Sequence, residues 1–137
     1  MSLIERIHKE RLLRILSVVV ALIFLQTLFF KFTGASESVA IFTELGMEPW
    51  GRIGSGVAEL IVSVLVLIPK RRWIGAVFGL GLMIGAVGAH LFVIGIEREG
   101  DGGLLFFLAV LCAVICSVLV WADREKLTQV LRTFATK

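Results

Sequence analysis

Residues 55–90, SGVAELIVSVLVLIPKRRWIGAVFGLGLMIGAVGAH, decide the fold of this chain. They contain two long apolar segments joined by the basic turn 69–72, PKRR. Each segment approaches the ~20 residues with which a helix crosses a ~30 Å hydrocarbon core, so the stretch predicts a transmembrane hairpin. An ionisable side chain at membrane depth costs at least about 2.5 kcal/mol and is usually paired or functional. Glu59 and His90, one in each segment, therefore each need a partner or a function.

The rest of the chain extends this hairpin to a bundle. Hydrophobic residues make up 58% of the 137 residues, above the roughly 45 to 50% of soluble domains. We predict an all-α integral membrane protein with one domain and four transmembrane helices, over residues 12–32, 51–69, 73–96 and 103–122. Interfacial segments are predicted at 1–11, 36–46 and 123–137: a short surface helix, a short amphipathic helix in the first outer loop and an amphipathic tail. The loop helix either covers the outer mouth of the bundle or lies on lipid headgroups.

Basic residues predict the orientation. Eleven of the fourteen lie before the first span or in its first turn, between the second and third spans, or after the fourth; only Lys31, Arg52 and Arg98 lie towards the other side. The positive-inside rule then places both termini in the cytoplasm. The net charge of +3 is a topology signal, and the sequence offers no support for binding nucleic acid.

Three polar residues reach one predicted depth. Gln26, Glu59 and His90 each lie six or seven residues inside the outer end of a span, roughly 10 Å deep at about 1.5 Å per residue. If they converge, they line a pocket that opens outward and serves as a ligand-binding or proton-exchange site. Lys31 either joins this site or extends its ammonium to the interface.

Arg52 and Trp50 are predicted at the mouth of that pocket. The alternative is a structural clasp, in which Glu59 accepts a hydrogen bond from His90 or Arg52 and fixes the helix register. No metal site is predicted, because one histidine and one glutamate are too few ligands at this depth. Cys112 and Cys116, one turn apart in the fourth span, are expected to be small residues at a helix contact rather than a disulfide.

Glycines give the third span two faces of small residues. A wheel at about 100° per residue puts Gly75 and Gly79 on one side, and Gly81, Gly85 and Gly88 on the other. We therefore expect this helix to be central and to pack against neighbours on both sides.

Several short motifs resemble the DoxX family of small bacterial membrane proteins. They are LIFLQTLFFKFTG in the first span, ELGMEPW before the second, GVAEL within it and GAVGAH at the end of the third, and the likeness extends over residues 14–121. Phe24 and Lys31 match the family pattern in the first span, Thr27 stands where serine is common, and Leu28 replaces a frequent glycine. The acidic residue matches at Glu59 and the histidine at His90. Leu28 departs from the pattern and is expected to fill space beside the site.

The resemblance implies a role in membrane redox chemistry, because family members are linked to quinone-dependent oxidation, including a thiosulfate:quinone oxidoreductase subunit. It implies a multi-pass protein of the bacterial inner membrane that binds a small lipophilic or redox-active molecule such as a quinone. The chain would act as an accessory subunit with a membrane redox partner, or as a homo-oligomer. It carries no haem, flavin or iron–sulfur signature, so no intrinsic cofactor is expected and a stand-alone enzyme is not predicted. The alternatives are a small-solute transporter or exporter, and a membrane assembly or stability factor without catalysis.

Overall fold

The computed structural model describes residues 1–135, and within them every regular element is helical. The elements are α1 (Leu3–Thr33), α2 (Ser36–Glu44), α3 (Trp50–Leu67), α4 (Arg72–Ala89), a π-helix (His90–Ile94), α5 (Leu104–Ala122) and α6 (Arg124–Ala135). Four of them are long and apolar enough to cross a membrane: α1, α3, α4 with its π-helical continuation, and α5. The prediction of an all-helical protein with four candidate membrane spans is confirmed.

Helix α1 differs from the sequence prediction, because no separate surface helix precedes the first span. One helix of 31 residues begins at Leu3 and continues through the basic N-terminal stretch. Ser2 starts it with a capping box: the Ser2 hydroxyl accepts from the Glu5 backbone N–H, and the Glu5 carboxylate accepts from the Ser2 N–H at 2.6 Å. No glycine or proline interrupts the sequence until Gly34, which ends the helix in the left-handed region at φ +68°.

The four long helices form a closed ring, in which α1 packs on α3, α3 on α4, α4 on α5, and α5 on α1. Helices α3 and α4 approach each other closely at Gly75, where a Cβ would lie 2.7 Å from the backbone nitrogen of Val66. Gly79 is also in contact, because its Cβ would lie 3.1 Å from the Cys116 sulfur. This face of α4 packs as predicted, since small residues allow helices to approach closely.

The second small face of α4 does not pack, so that expectation was wrong. A Cβ added at Gly81, Gly85 or Gly88 would meet no atom of residues 1–135 within 4 Å. A helical wheel drawn from the sequence shows which residues share a face, but it does not show which face packs against another helix. Gly85 and Gly88 instead border a cavity.

A buried cluster of charged side chains connects α1, α4, α5 and α6 at the end of the bundle where α1 begins. Arg72 is 2% exposed; its guanidinium donates to both Asp123 oxygens, at 2.7 and 3.1 Å, and to Glu10 at 3.2 Å. Lys126 donates to Asp123 at 2.9 Å. Burial acts to raise the pKa of Asp123, but the hydrogen bonds and charges of Arg72 and Lys126 outweigh it, so the pKa of Asp123 is lowered. The start of α1, the start of α4, the end of α5 and α6 therefore share one end of the molecule.

Candidate functional site

The opposite end of the bundle holds a buried ion pair between α1 and α3. Glu59 is 5% exposed, and one of its oxygens pairs with the Lys31 ammonium. Its other oxygen lies 2.8 Å from the Thr27 hydroxyl. Thr27 and Lys31 are four residues apart on α1 and so present to the same side of that helix. Both oxygens of the carboxylate are thus held by one helix face.

Thr27 gives this cluster two hydrogen-bonding states. Its hydroxyl oxygen lies 2.8 Å from the Phe24 carbonyl and 2.8 Å from Glu59. A hydroxyl has one proton, and a carbonyl only accepts. When Glu59 is ionised, Thr27 can donate to it; when Glu59 is protonated, Glu59 donates to Thr27 and Thr27 donates to Phe24. The Thr27 hydroxyl can therefore stay hydrogen-bonded to Glu59 as donor or as acceptor without a movement of the backbone.

His90 begins the π-helix and is buried. Its Nδ1 lies 2.8 Å from the carbonyl of Gly95, which accepts only, so Nδ1 carries a proton. Gly95 turns this carbonyl back towards the ring with φ +80°, a conformation that favours glycine. Phe106 holds the ring edge-to-face at 5.7 Å between centroids. Within residues 1–135 Nε2 has no hydrogen-bond partner, and in the neutral ring it is an acceptor.

A cavity of about 630 Å³ lies between these two groups. Its wall is largely apolar, and its polar side chains are Thr27, Lys31, Ser55 and His90. Glu59 does not line the cavity itself, but it contacts Thr27 and Lys31, which do. An apolar chamber with few convergent polar groups is typical of a site for a small organic molecule.

Helix α2 covers the same end of the bundle. Ile41, Phe42 and Leu45 line the cavity from this helix, and the Lys31 ammonium lies 5.9 Å from the centre of the Phe42 ring. Glu44 at the end of α2 pairs with Arg98 at 2.9 Å. Helix α2 therefore closes one side of the cavity at its polar end, and the Glu44–Arg98 ion pair holds the end of that helix.

The cavity opens sideways, at the end of α4 and in the π-helix. Of the residues that line it, only Gly85, Phe92 and Val93 are exposed. All three belong to the candidate membrane span Arg72–Ile94. The opening therefore lies on the apolar flank of the molecule.

Of the four predicted site residues, Lys31 and His90 line this cavity, Glu59 contacts two residues that line it, and Gln26 does not border it. Gln26 is exposed and lines a second cavity, of about 390 Å³. It is adjacent to Thr27 in sequence, and one residue turns a helix by about 100°, so Thr27 borders both cavities whereas Gln26 borders only the second. The depth argument could not give the direction in which the Gln26 side chain points.

Arg52 and Trp50 line neither cavity. The Arg52 guanidinium is hydrogen-bonded to Glu48 at 2.7 to 2.9 Å and to the Lys31 backbone carbonyl. That carbonyl belongs to the last turn of α1, where carbonyls lack a partner within the helix. Trp50 is 65% exposed. Arg52 thus caps a helix, whereas the sequence indicated a cation at the mouth of the pocket.

Two contacts of the site were not predicted. The role of Thr27 had a signal in the sequence, because a hydroxyl four residues before a buried lysine lies on the same face of the helix. The position of Ser55 in the cavity wall had a similar signal, because Ser55 lies four residues before Glu59 and so on the same face of α3.

Within residues 1–135, no three His, Cys, Asp or Glu side chains come together as a metal-binding group. Cys112 and Cys116 are both free and buried, and Cys116 faces α4 at Gly79.

Comparison with known proteins identifies one family. The sequence model of the DoxX-like family matches residues 15–122, most of the chain. The match includes Thr27, Lys31, Glu59 and His90. No curated protein and no solved structure matches the chain.

Proposed function

From the premise that this chain belongs to the DoxX-like family, we propose that it binds a small lipophilic, redox-active molecule, quinone-like in chemistry, in the 630 Å³ cavity. It would do so as an accessory subunit of a membrane oxidoreductase. One observation carries the proposal: a largely apolar cavity has Lys31 at its polar end and His90 with a free acceptor nitrogen. The sideways opening at Gly85, Phe92 and Val93 supports a ligand that arrives from the bilayer.

The residues present fit a quinone-like group. An aromatic ring with oxygens at opposite ends needs an apolar slot and polar partners for its oxygens, and the cavity offers both. When bound, such a molecule supplies two-electron redox chemistry, for which a partner subunit accepts or donates the electrons. His90 Nε2 accepts a hydrogen bond from a ligand hydroxyl, and the Lys31 ammonium stabilises negative charge on a ligand oxygen. Glu59 takes or gives a proton through its alternative bonds with Thr27.

The proposed setting is the bacterial inner membrane, with both termini in the cytoplasm. The cluster of Arg72, Asp123 and Glu10 brings the basic N-terminal stretch, the 69–72 turn and α6 to one end of the bundle. The positive-inside rule assigns that end to the cytoplasm. The cavity would then open at the level of the outer leaflet.

Native mass spectrometry on protein in nanodiscs tests the ligand site. We expect the wild type to retain a bound quinone or a similar lipophilic molecule, and both His90→Ala and Glu59→Gln to lose it. His8→Ala is the matched control, because His8 is the other of the two histidines in the chain and is exposed on α1. Retention of the ligand by both site variants would contradict the proposal, as would failure of the wild type to bind added ubiquinone.

A second function, as an assembly or stability factor, is favoured by the ion pair itself. Both Glu59 oxygens are bonded to α1 residues, so the cluster joins two spans whether or not a ligand is bound. If the site is only a clasp, Glu59→Gln lowers the Tm and no small molecule is detected with the wild type. A consistent membrane partner would then be recovered by pull-down.

A further inference from the structure

The second cavity borders the site of the proposed function but opens to a different environment. Its volume is about 390 Å³, and it lies between α1, α2 and the loop that leads into α5. The exposed residues in its wall include Gln26, Glu37 and Glu99, which carry polar side chains. The first cavity, by contrast, opens among apolar residues of the span Arg72–Ile94. Of the two cavities, the second therefore has the opening that suits water.

One buried donor at the second cavity has no partner in the protein. The Nε of Arg98 is buried and makes no hydrogen bond within residues 1–135. The rest of this guanidinium is held in place, because its Nη1 donates to the Ile94 carbonyl at 2.8 Å and pairs with Glu44 at 2.9 Å. Buried polar groups are normally hydrogen-bonded, so an unpaired donor at a cavity wall indicates a partner inside the cavity.

Water is the partner that fits this donor. A buried water needs polar partners and roughly 30 Å³ of space, its share of the liquid volume. The second cavity has room for several waters, and Gln26 and Ser38 in its wall add polar side chains to that of Arg98. We therefore regard the second cavity as a hydrated chamber that is open to the water at the α2 end of the bundle.

Thr27 connects this chamber to the buried carboxylate. The two cavities share a wall at Thr27, Ile41, Leu105 and Leu108, and of these four residues only Thr27 has a polar side chain. Its hydroxyl lies 2.8 Å from Glu59. Glu59 is 5% exposed and lines neither cavity. A proton that passes between Glu59 and the second cavity therefore has Thr27 in its path.

We propose that the second cavity is the route by which the site of the proposed function exchanges protons with water, with Thr27 as the relay. The proposal rests on the proposed function for the ligand that supplies or takes up the proton. In the outward step, protonated Glu59 donates its carboxyl proton to the Thr27 oxygen, and Thr27 passes its own hydroxyl proton to a water in the second cavity. This leaves a carboxylate beside Lys31 and a hydronium ion in the chamber, and no electrons move. Uptake is the reverse.

Cysteine labelling tests whether water reaches Thr27 through this cavity. Thr27→Cys is made in a Cys112→Ala, Cys116→Ala background, and its reaction with a water-soluble cationic methanethiosulfonate is followed in detergent. The thiolate is the reacting form, so labelling requires contact with water. We expect this variant to be labelled. Adding Leu104→Trp, which fills the second cavity from its wall, should slow labelling at least about tenfold.

Two further substitutions identify the route. Leu91→Trp adds the same side chain at a leucine that is also 53% exposed but lines neither cavity, so it should leave the labelling rate unchanged. Gly85→Leu narrows the sideways opening of the first cavity and should also leave the rate unchanged. An unreactive Thr27→Cys variant, or labelling that is slowed by Gly85→Leu and not by Leu104→Trp, would overturn the proposal.

Infrared spectroscopy tests the relay itself. In acid, protonated Glu59 gives a carboxyl band that Glu59→Gln identifies by its loss, and the band shifts as the proton is exchanged in heavy water. We expect similar exchange rates in the wild type and in Thr27→Ser, which keeps the hydroxyl. Exchange should be at least about tenfold slower in Thr27→Val, which has the same shape without the hydroxyl.

Wild-type exchange in Thr27→Val, or no band that Glu59→Gln removes, would contradict the role of Thr27 and Glu59 in this route. Neither experiment uses a ligand. Failure of the route is therefore distinguishable from failure of the first cavity to bind a quinone.

Discussion

At the scale of single residues, the site depends on one carboxylate that is removed from water. Glu59 is 5% exposed and has Lys31 as its counter-ion. Two charges can be buried together only if their mutual attraction and hydrogen bonds offset the lost hydration. The residues that complete this arrangement therefore determine both the stability of the α1–α3 contact and the chemistry of the cavity.

Replacing Lys31 alone should destabilise the protein more than replacing both partners. Lys31→Met leaves a buried carboxylate without a counter-charge, a change that costs roughly 3–5 kcal/mol in comparable cases. In the Lys31→Met, Glu59→Gln double variant the uncompensated charge is gone, so part of the loss should be recovered. Thermal unfolding in detergent measures the stability of the single and the double variant. Lys9→Met, on the exposed part of α1, is the control. A double variant less stable than the Lys31 variant would contradict this account.

At the scale of helices, α4 presents two small faces with different environments. Gly75 is in contact with the α3 backbone, whereas Gly81 faces open space. Sequence spacing showed both faces but could not distinguish them, because each consists of glycines at helical intervals. The structure distinguishes them by what an added methyl group would meet.

Gly75→Ala and Gly81→Ala should therefore have opposite effects. The new Cβ at position 75 would lie 2.7 Å from the Val66 nitrogen, and overpacking of this kind typically costs about 1–3 kcal/mol. At position 81 the Cβ is unhindered, and alanine favours a helix over glycine by up to ~1 kcal/mol. Differential scanning fluorimetry should show a lower Tm for the first variant and an unchanged or higher Tm for the second. Equal Tm values would mean that α3 and α4 do not approach as closely as described.

The cluster around Asp123 joins α1, α4, α5 and α6 and should make stability depend on pH. The pKa of Asp123 is lower in the folded protein than its ordinary value near ~3.9. Ionised Asp123 therefore contributes fully to the free energy of unfolding at pH values above that ordinary value. The contribution is lost as the pH falls through the lowered folded-state pKa. The Tm difference between wild type and Asp123→Asn should thus be largest near neutral pH and shrink in acid. Glu125→Gln, an exposed neighbour, should show no such trend.

At the scale of the whole molecule, hydropathy and charge predicted the fold because they act along one dimension, the membrane normal. Length and apolarity identified four candidate spans, and the depth argument predicted a common level for Gln26, Glu59 and His90. They did not reveal the direction in which Gln26 points. They also missed the burial of Arg72, whose partners Asp123 and Glu10 are 51 and 62 residues away in sequence. Such contacts depend on how helices are arranged around the bundle, and no local pattern records that arrangement.

The sideways opening of the first cavity leads to a prediction about exchange with the bilayer. Gly85→Leu should slow uptake of a quinone from nanodisc lipid, because it places a bulky side chain at an exposed residue of the cavity wall. Gly81→Leu, one turn away and outside the cavity lining, should leave the rate unchanged. Quenching of an intrinsic tryptophan after mixing with quinone-loaded vesicles gives the rate. Equal rates in the two variants would indicate that the ligand reaches the cavity by another route.

The burial of Arg72 also has a consequence for biogenesis. During synthesis the ribosome releases Arg72 about fifty residues before it releases Asp123, so the α3–α4 hairpin must enter the membrane while its arginine has only Glu10 as a counter-ion. Insertion of the last span then completes the charge balance at that end of the bundle. A chain that stops before Asp123 would leave Glu10, which is itself partly exposed, as the one counter-ion of Arg72 at that end of the bundle.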